Sequence, residues 1–574
     1  MQLTSEQQSA VTTESNRALV VAGAGSGKTG VLAERVAHLY EECNVSPSEI
    51  LAFTFTRMAS REMKSRIATR LGVHGSRVEV GTMHGVALGF LKRFGEMVGF
   101  RPRALSVYSE WQANFLFEDC AAELGLKKGK AWKTPKKELQ AALRHFEATG
   151  EMPAPMSPAY GLILNLRQRC KQNNACTYGE LLTYFEQLID LGVIDKYTSW
   201  RHVMVDEVQD IDKRQWRIIE KLSVGRALFA VGDIRQSIYA FRGACPQYLF
   251  DRVASFDVYN LTANFRSAAC IVNAANRLIA RNGMVLGEDM VATKGVENAR
   301  IEATRIGIKS DELADMLAHL WQERVVVLSR VHGLLGKLAR ELEGRGIKPL
   351  YVGQQTAVTR TEAFARVHAM VHLMANRYDD FSFLLAKDLL GISHNDYRYI
   401  RNEAVAAGDS HFNTFLRLKE WGYPDENMVA KELVKFLFMQ IQFDAEQSEG
   451  LSAVLNFMQT VAERFPAMTI QTYLEYLATL DVQDELPSVE DFPQVTLMTI
   501  HASKGLEFEN VIVWGANEGI FPDKRSMSDP EELEGERRLA YVAITRAERQ
   551  MVFVSRPEDD KTGGPSRFIV EAIG

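Results

Sequence analysis

An apolar run, Ala18-Leu19-Val20-Val21, leads straight into Ala22-Gly23-Ala24-Gly25-Ser26-Gly27-Lys28-Thr29, after which Leu32, Val36, Leu39 and Tyr40 recur at helical spacing. This order of strand, glycine-rich loop and helix start belongs in a parallel α/β sheet. There the loop sits at a strand's C-terminal end and the helix N-terminus faces an anion. Gly23, Gly25 and Gly27, with Ser26 among them, let successive backbone amides turn toward a triphosphate. Lys28 adds a point charge, and the Thr29 hydroxyl suits magnesium. The first position of the pattern is Ala22 instead of glycine, a variant that leaves the three cradle glycines in place.

At 574 residues the chain exceeds one hydrophobic core, and its length corresponds to about three to five domains. With 46% apolar and 24% charged residues it reads as globular throughout, and no apolar run approaches the length of a membrane span. The N-terminus lacks the basic and apolar regions of a signal peptide. The six cysteines, at 43, 120, 170, 176, 245 and 270, show no paired spacing, so a reducing, cytoplasmic setting is expected. Cys170 and Cys176 complete no four-ligand set and read as free thiols. A net charge of −6 argues against a generally polycationic nucleic-acid binder but leaves room for a basic channel.

A phosphate loop serves many enzymes, and its acidic partner discriminates among them. His202-Val203-Met204-Val205 forms a strand ending in Asp206-Glu207, which places Asp206 near a magnesium ion held by Thr29 and Glu207 where it orients or deprotonates a water. A further strand at 227–231 runs into Gly232-Asp233-Ile234-Arg235-Gln236-Ser237-Ile238-Tyr239-Ala240-Phe241-Arg242-Gly243-Ala244, an unusual mixture of amide, aromatic and arginine side chains.

That stretch resembles the third motif of UvrD/Rep-like superfamily 1 DNA helicases, as do Asp206-Glu207-Val208-Gln209-Asp210 and Leu261-Thr262-Ala263-Asn264-Phe265-Arg266-Ser267. The likeness continues in family order. Leu3-Thr4-Ser5-Glu6-Gln7-Gln8 resembles the adenine-reading motif, and Thr54-Phe55-Thr56 and Gly81-Thr82-Met83-His84 resemble DNA-contacting ones. Thr499-Ile500-His501-Ala502-Ser503-Lys504-Gly505-Leu506-Glu507-Phe508 and Glu536 through Ala547 complete the set. The resemblance implies that Gln7 reads adenine, Phe265 stacks on the base, Glu507 lies near the ribose, and Gln236 senses the terminal phosphate. Arg266 and Arg546 would join Lys28 and Glu207 in catalysis, supplying positive charge from sequence regions far from the phosphate loop.

Unpaired bases offer π faces, so Phe55, Tyr239 and Phe241 among basic and hydroxyl residues suit a single-strand track. The resemblance adds Thr56, His84, Tyr178, Arg242, Arg330 and His501 to that track. No metal role is expected for the histidines. Some positions depart from the family pattern. Arg57-Met58 stands where Asn-Lys is common, Gly30 where arginine is frequent, and Ile234-Arg235 where an acidic pair is usual. Cys176-Thr177-Tyr178-Gly179-Glu180-Leu181-Leu182 replaces an acidic motif. None of these removes a magnesium ligand or Glu207, so an active ATPase is expected.

The expected fold class is α/β, with two RecA-like parallel-sheet cores, each carrying a mainly helical inserted subdomain. The first core would occupy 1–100 and 196–258 with its insert at 101–195. The second would occupy 259–358 and 494–574 with its insert at 359–493. Strands are expected at 18–22, 50–53, 202–205 and 227–231, then at 325–328, 495–500, 511–514 and 551–554. The run Lys127-Lys128-Gly129-Lys130 reads as a solvated loop, contact with DNA phosphates being the alternative. Leu389-Leu390-Gly391-Ile392-Ser393 resembles, with departures, a duplex-contacting Gly-Ile-Gly element. The chain ends soon after Pro565-Ser566-Arg567-Phe568, as expected of a compact, motor-only member.

The resemblance thus implies an ATP- and magnesium-dependent 3′ to 5′ translocase and helicase acting on single-stranded DNA and single-strand/duplex junctions, in DNA repair or replication, without a membrane. The alternative is a DNA-sensing ATPase subunit of a larger repair, replication or defence complex that does not unwind processively by itself. An RNA-directed motor is a third reading, and a loading or activating protein partner stays open.

Overall fold

Apolar runs without alternation need cover on both faces, which is the condition of parallel strands between helices. The computed structural model describes residues 3–101, 104–284, 286–304, 307–319, 321, 323–352, 358–359, 361–419, 428–440, 448–478, 489–558 and 563–574. The chain divides into two compact units, one of Met1–Thr82, Ser199–Gln355 and Asp481–Gly574, the other of Met83–Thr198 and Thr356–Leu480.

The first unit holds two six-stranded sheets. Strands β1 (Arg17–Ala22), β2 (Ile50–Thr54), β3 (Glu79–Thr82), β4 (His202–Val205), β5 (Ala227–Gly232) and β6 (Asp257–Leu261) are ordered β6-β1-β5-β4-β2-β3, every neighbouring pair parallel. The C-terminal ends of β1, β5 and β4 therefore share one sheet edge, and the three motifs that follow them converge there. Helices α1 (Ser5–Val11), α2 (Lys28–Glu41) and α3 (Arg57–Leu71) help cover this sheet; Val31, Leu32 and Val36 of α2 and Met63 and Ile67 of α3 pack with Val20 and Ile50.

The second sheet contains β7 (Arg300–Ala303), β8 (Val325–Ser329), β9 (Leu350–Tyr351), β10 (Val495–Thr499), β11 (Phe508–Trp514) and β12 (Ala547–Val554). Its order is β7-β12-β11-β8-β10-β9, again all parallel. The helix Pro530–Ile544 buries every residue from Glu536 onward, and its Tyr541 belongs to the same apolar cluster as Ile500, Ile238 and Tyr239, joining the two sheets' motifs. This is the expected α/β class with two parallel cores. One strand crosses an expected boundary: β6 pairs with β1 from Ala18↔Asp257 to Ala22↔Leu261, so the first sheet extends past residue 258.

The second unit is mainly helical, with a short parallel pair, Ser106–Tyr108 beside Ala175–Thr177, and a hairpin of Lys127–Lys128 and Ala131–Trp132. It takes in the helix Met83–Phe94, which lies within the bounds 1–100 expected for the first core. One apolar core runs through both of its chain stretches: Tyr108, Leu116 and Phe117 cluster with Phe364, Phe381, Leu455 and Tyr473. Polar links reinforce it. The Tyr108 hydroxyl donates to Asp379 Oδ1 at 2.8 Å, the Asn376 amide donates to Ser106 Oγ at 3.0 Å, and Lys92 Nζ lies 2.6 Å from Glu475. In the segment resembling a duplex-contacting element, Leu389 and Ile392 are buried in this core and Gly391 has φ +65°. Among the described residues no helix is long and apolar enough to cross a membrane.

Candidate nucleotide site and nucleic-acid track

The loop between β1 and α2 is held from within and from both sides. Ser26 Oγ donates to Gly23 O at 2.8 Å, and Gly25 and Gly27 adopt φ of +68° and +82°. A β-carbon on Gly25 would come 2.6 Å from the Arg266 Cβ. Both conformation and space thus exclude a side chain there. Gln7 completes a capping box on α1, accepting from Thr4 N at 3.0 Å, and its amide donates to Ser26 O at 2.9 Å. The predicted adenine reader is thereby fixed against the loop.

Lys28 Nζ is buried, makes no hydrogen bond and lies 3.1 Å from Glu207 Oε1. Glu207 adopts a left-handed backbone, φ 51° and ψ 43°, a conformation that costs a non-glycine residue on the order of 1 kcal/mol and marks functional turns. Burial and the neighbouring Glu207 raise the pKa of Asp206. For Glu207, burial acts in the same sense, but Lys28, Lys504 and a hydrogen bond from Gln209 outweigh it and hold its carboxyl down. A buried ammonium without hydrogen bonds, next to loop amides and a buried carboxylate, fits a phosphate; Thr29 and Asp206 together fit its magnesium ion.

The opposite wall comes from the second core. Arg266 Nε donates to Glu507 at 2.6 Å and its Nη1 to Thr545 O at 3.1 Å, so the predicted ribose contact pairs with a predicted catalytic arginine. Arg546 is fully buried. It donates to Val542 O and Leu506 O, both at 3.0 Å, and its Nη2 lies 3.5 Å from Gln236 Oε1. Burial, and then Arg266, lower its pKa to about 9. A cation in that environment gains from an incoming anion. Phe265, whose amide donates to Gly25 O at 2.9 Å, lines the same cavity of about 680 Å³, together with Gly25 to Thr29, Asp206, Glu207, Gln236, Glu507 and Arg546. That volume lies within the usual range for ligand pockets.

Three residues quoted in motifs but given no role organise this cavity. Asn264, 1% exposed, donates to Ala24 O at 2.7 Å and accepts from Arg266 N at 3.0 Å and Ser267 N at 2.8 Å, binding the second core to the phosphate loop. Gln209 donates to Glu207 and accepts from Asp233 N at 3.0 Å. Lys504 pairs with Asp210, donates to Gln236 O at 2.7 Å, and sits 5.1 Å from the Tyr239 ring centre. The only sequence signal for them was a polar side chain inside a motif. Arg235, noted as a departure, pairs with Asp233 at 2.7 Å, both fully buried, and donates to Glu288 O at 2.9 Å.

The aromatic residues form a line. Phe55 stacks on Tyr239 at 4.9 Å, Tyr239 lies 6.1 Å from Phe241, and Phe241, 65% exposed, meets His501 edge-on at 5.3 Å. Thr56 caps α3 by accepting from Ala59 N at 3.1 Å. Arg330 pairs with Glu536 at 3.0 Å. The Arg242 side chain lies outside the described residues. In the other unit His84 stacks on the half-exposed Tyr178 at 4.1 Å, and burial lowers its pKa to about 3, so its imidazole is neutral.

The comparisons with known proteins cover the same span. Residues 3–257 match the UvrD/REP helicase N-terminal domain, and residues 259–408 and 423–557 match the UvrD-like helicase C-terminal domain. The chain is 26% identical over 639 residues to the ATP-dependent DNA helicase PcrA of Staphylococcus aureus, covering 99% of this chain and 86% of that protein. It is 28% identical over 648 residues to the ATP-dependent DNA helicase Rep of Salmonella typhimurium, covering 100% and 94%. With the PcrA of Bacillus subtilis it shares 27% over 643 residues, covering 98% and 85%.

Proposed function

The chain belongs to the UvrD/Rep family of helicases, and from that premise we infer an ATP-dependent DNA helicase that moves 3′ to 5′ along single-stranded DNA and hydrolyses ATP between its two parallel-sheet cores. The observation that carries this reading is Gln236. Its amide oxygen lies 3.5 Å from Arg546 in the nucleotide cavity, while its backbone carbonyl, 2.7 Å from Lys504, holds that ammonium beside Tyr239 of the aromatic line. One residue thus touches both the phosphate side and the base-stacking side.

The charges suggest how a cycle begins. Lys28 pairs with Glu207 at 3.1 Å. A triphosphate seated on the loop amides competes for that ammonium and leaves Glu207 to orient or accept a proton from the attacking water, with Gln209 holding the carboxylate. Arg266 and Arg546 face the oxygens that gain negative charge. Thr29 and Asp206 would hold a magnesium ion, which would supply charge to neutralise the phosphates. As ATP binds and leaves, the two cores close and open, and Phe55, Tyr239, Phe241 and His501 pass bases along the track. Arg242 and Arg330 extend that track in this reading, His84 and Tyr178 of the other unit are read as further DNA contacts, and repair or replication is the setting it serves.

The test is ATP hydrolysis with and without single-stranded DNA, alongside displacement from duplexes carrying a 3′ or a 5′ tail. DNA-stimulated hydrolysis with displacement from the 3′-tailed duplex alone is expected, and Glu207→Gln lowers turnover by about 10²–10⁴-fold. Hydrolysis indifferent to DNA overturns the coupling; stimulation without displacement overturns autonomous unwinding and favours a subunit of a larger complex.

A further inference from the structure

Position 235 is one at which the chain departs from the family pattern, carrying arginine where an acidic residue is usual. That arginine is 2% exposed, and its neighbour Asp233 is wholly enclosed. Arg235 Nε donates to Asp233 Oδ1 at 2.7 Å. The other carboxylate oxygen, Oδ2, accepts from Gln236 Nε2 at 3.0 Å and faces the Tyr541 hydroxyl at 3.5 Å. A carboxylate can only accept and a guanidinium can only donate. Asp233 therefore takes the NH2 end of the Gln236 amide, and Gln236 Oε1 is left facing Arg546 Nη2 at 3.5 Å, inside the nucleotide cavity. The second arm of the fork reaches elsewhere: Arg235 Nη1 donates to Glu288 O at 2.9 Å. Two residues on, Met290 crowds the phosphate loop, where a β-carbon on Gly23 would come 2.8 Å from its Cγ and 3.4 Å from Arg235 Nη2. Val291–Ala292 then pair with Ala263–Asn264, the strand that runs into Phe265 and Arg266.

We propose that Arg235 is a positioning residue for ATP hydrolysis: through Asp233 it fixes which end of the Gln236 amide faces the terminal phosphate, and through Glu288 it ties that amide to the strand pair carrying Arg266. The inference rests on the ATPase reading above. A wholly buried carboxylate is costly without a cation, so Arg235 is what keeps Asp233 an acceptor for Gln236. A neutral acid or an amide at 233 could offer a proton as well as take one, and nothing there would then hold the Gln236 oxygen forward. Arg546 alone is a weak guide, because its contact with that oxygen is 3.5 Å, at the outer limit of a hydrogen bond. A planar fork serves both ends, whereas the single nitrogen of a lysine cannot occupy the Nε and Nη1 positions together. Gln236 and Arg266 thus hang on one guanidinium, and a shift of the second core's strand reaches the phosphate sensor without passing through the nucleotide.

The test compares the full chain with Asp233→Asn/Arg235→Met, which removes both charges together and so leaves no uncompensated ion in the core. Steady-state ATP hydrolysis at saturating single-stranded DNA gives kcat and KM, and ADP affinity and the urea midpoint are read alongside. ADP lacks the terminal phosphate that Gln236 faces, so its affinity is expected to stay within about 2-fold of the parent while kcat falls roughly 10- to 100-fold. The same two substitutions placed on Gln236→Ala are expected to lower kcat no further, because the group they position is gone. Arg235→Lys, which keeps a cation beside Asp233 without the second arm, is expected to fall between the parent and the paired variant. Parental kcat in the paired variant overturns the proposal, as does a lysine variant no better than that pair. So does an equal further loss on the Gln236→Ala background, or a fall in ADP affinity and urea midpoint that matches the fall in kcat. If the parent's hydrolysis is indifferent to DNA, the helicase reading fails while the kcat comparison still decides the role of Arg235.

Discussion

Replacing Asn264 with alanine tests whether the two cores communicate through the phosphate loop's own backbone. The side chain bonds three backbone groups, donating to Ala24 O and accepting from Arg266 N and Ser267 N, at 2.7, 3.0 and 2.8 Å, besides a weak 3.7 Å contact of its amide with Met290 Sδ. At a net value of about 1 kcal/mol each, Asn264→Ala costs about 3 kcal/mol, and it strands all three backbone groups without a partner. Two of the three bonds fix the turn that carries Arg266 and Ser267. If they set the position of the Arg266 guanidinium, about 2 kcal/mol of the loss reaches the transition state and kcat/KM for ATP falls about 30-fold. Asn264→Asp keeps the acceptor for both amides but sets a buried carboxylate oxygen against Ala24 O, so it restores the Arg266 turn while weakening the tie to the phosphate loop further than the loss of one bond. Steady-state ATP hydrolysis at saturating single-stranded DNA measures both variants. A folded Asn264→Ala protein with the kcat/KM of its parent would refute the argument that this side chain positions Arg266.

Gly25→Ala places a methyl group 2.6 Å from the Arg266 Cβ at a φ of +68°; binding of a non-hydrolysable ATP analogue is expected to weaken about 10-fold or more, as read by titration. Phe241→Ala removes a ring that is 65% exposed on the aromatic line; stacking worth about 1–3 kcal/mol per base raises the single-strand concentration for half-maximal ATPase stimulation about 5- to 150-fold. His368 and His372, with ring centres 4.4 Å apart and buried without hydrogen bonds, are both lowered in pKa by burial, His368 from 6.5 to about 3 and His372 well below 6.5, where His368 and Lys92 add to the effect. The unfolded chain takes up these protons below 6.5 while the native state refuses them, so the stability they support is whole above pH 6.5 and declines as pH falls toward 3. At pH 5 the loss is about 2 kcal/mol for His368, and His372 adds to it in the same direction. Urea midpoints at pH 7.5 and pH 5 should show it, and His368→Leu/His372→Leu should flatten the difference.

Much of this was legible because phosphate chemistry is local. The loop from Gly23 to Thr29, the pair Asp206-Glu207 and eight of the buried strands announce themselves by residue type and apolar runs. Both parallel sheets follow from them. The unread parts depend on distant partners. Strand β6 alternates too weakly to be recognised as a strand, its burial running from exposed at Asp257 to buried at Leu261, and only its register with β1 makes it part of the first sheet. Lys504 looks like any lysine in its motif until Asp210, 294 positions away, supplies its counter-charge. The lysine run at 127–130 read as a solvated loop because nothing within it shows that Trp132 and Glu118 will brace it as a hairpin. The apolar residues of the two helical stretches gave no sign that they pack on each other, since helical periodicity reports a buried face but not the face it meets.

That single apolar core, built from residues 83–198 and 356–480, also sets a timetable for synthesis. The first stretch leaves the ribosome while some 160 residues of the other unit are still to be translated before its complement begins. At about 5–20 residues per second, surfaces around Tyr108, Leu116 and Phe117 wait roughly 8–30 s for Phe364 and Phe381 to arrive. The nascent chain must carry an uncovered greasy face through that interval, which makes the birth of this protein, more than its mature state, the moment at which chaperones matter.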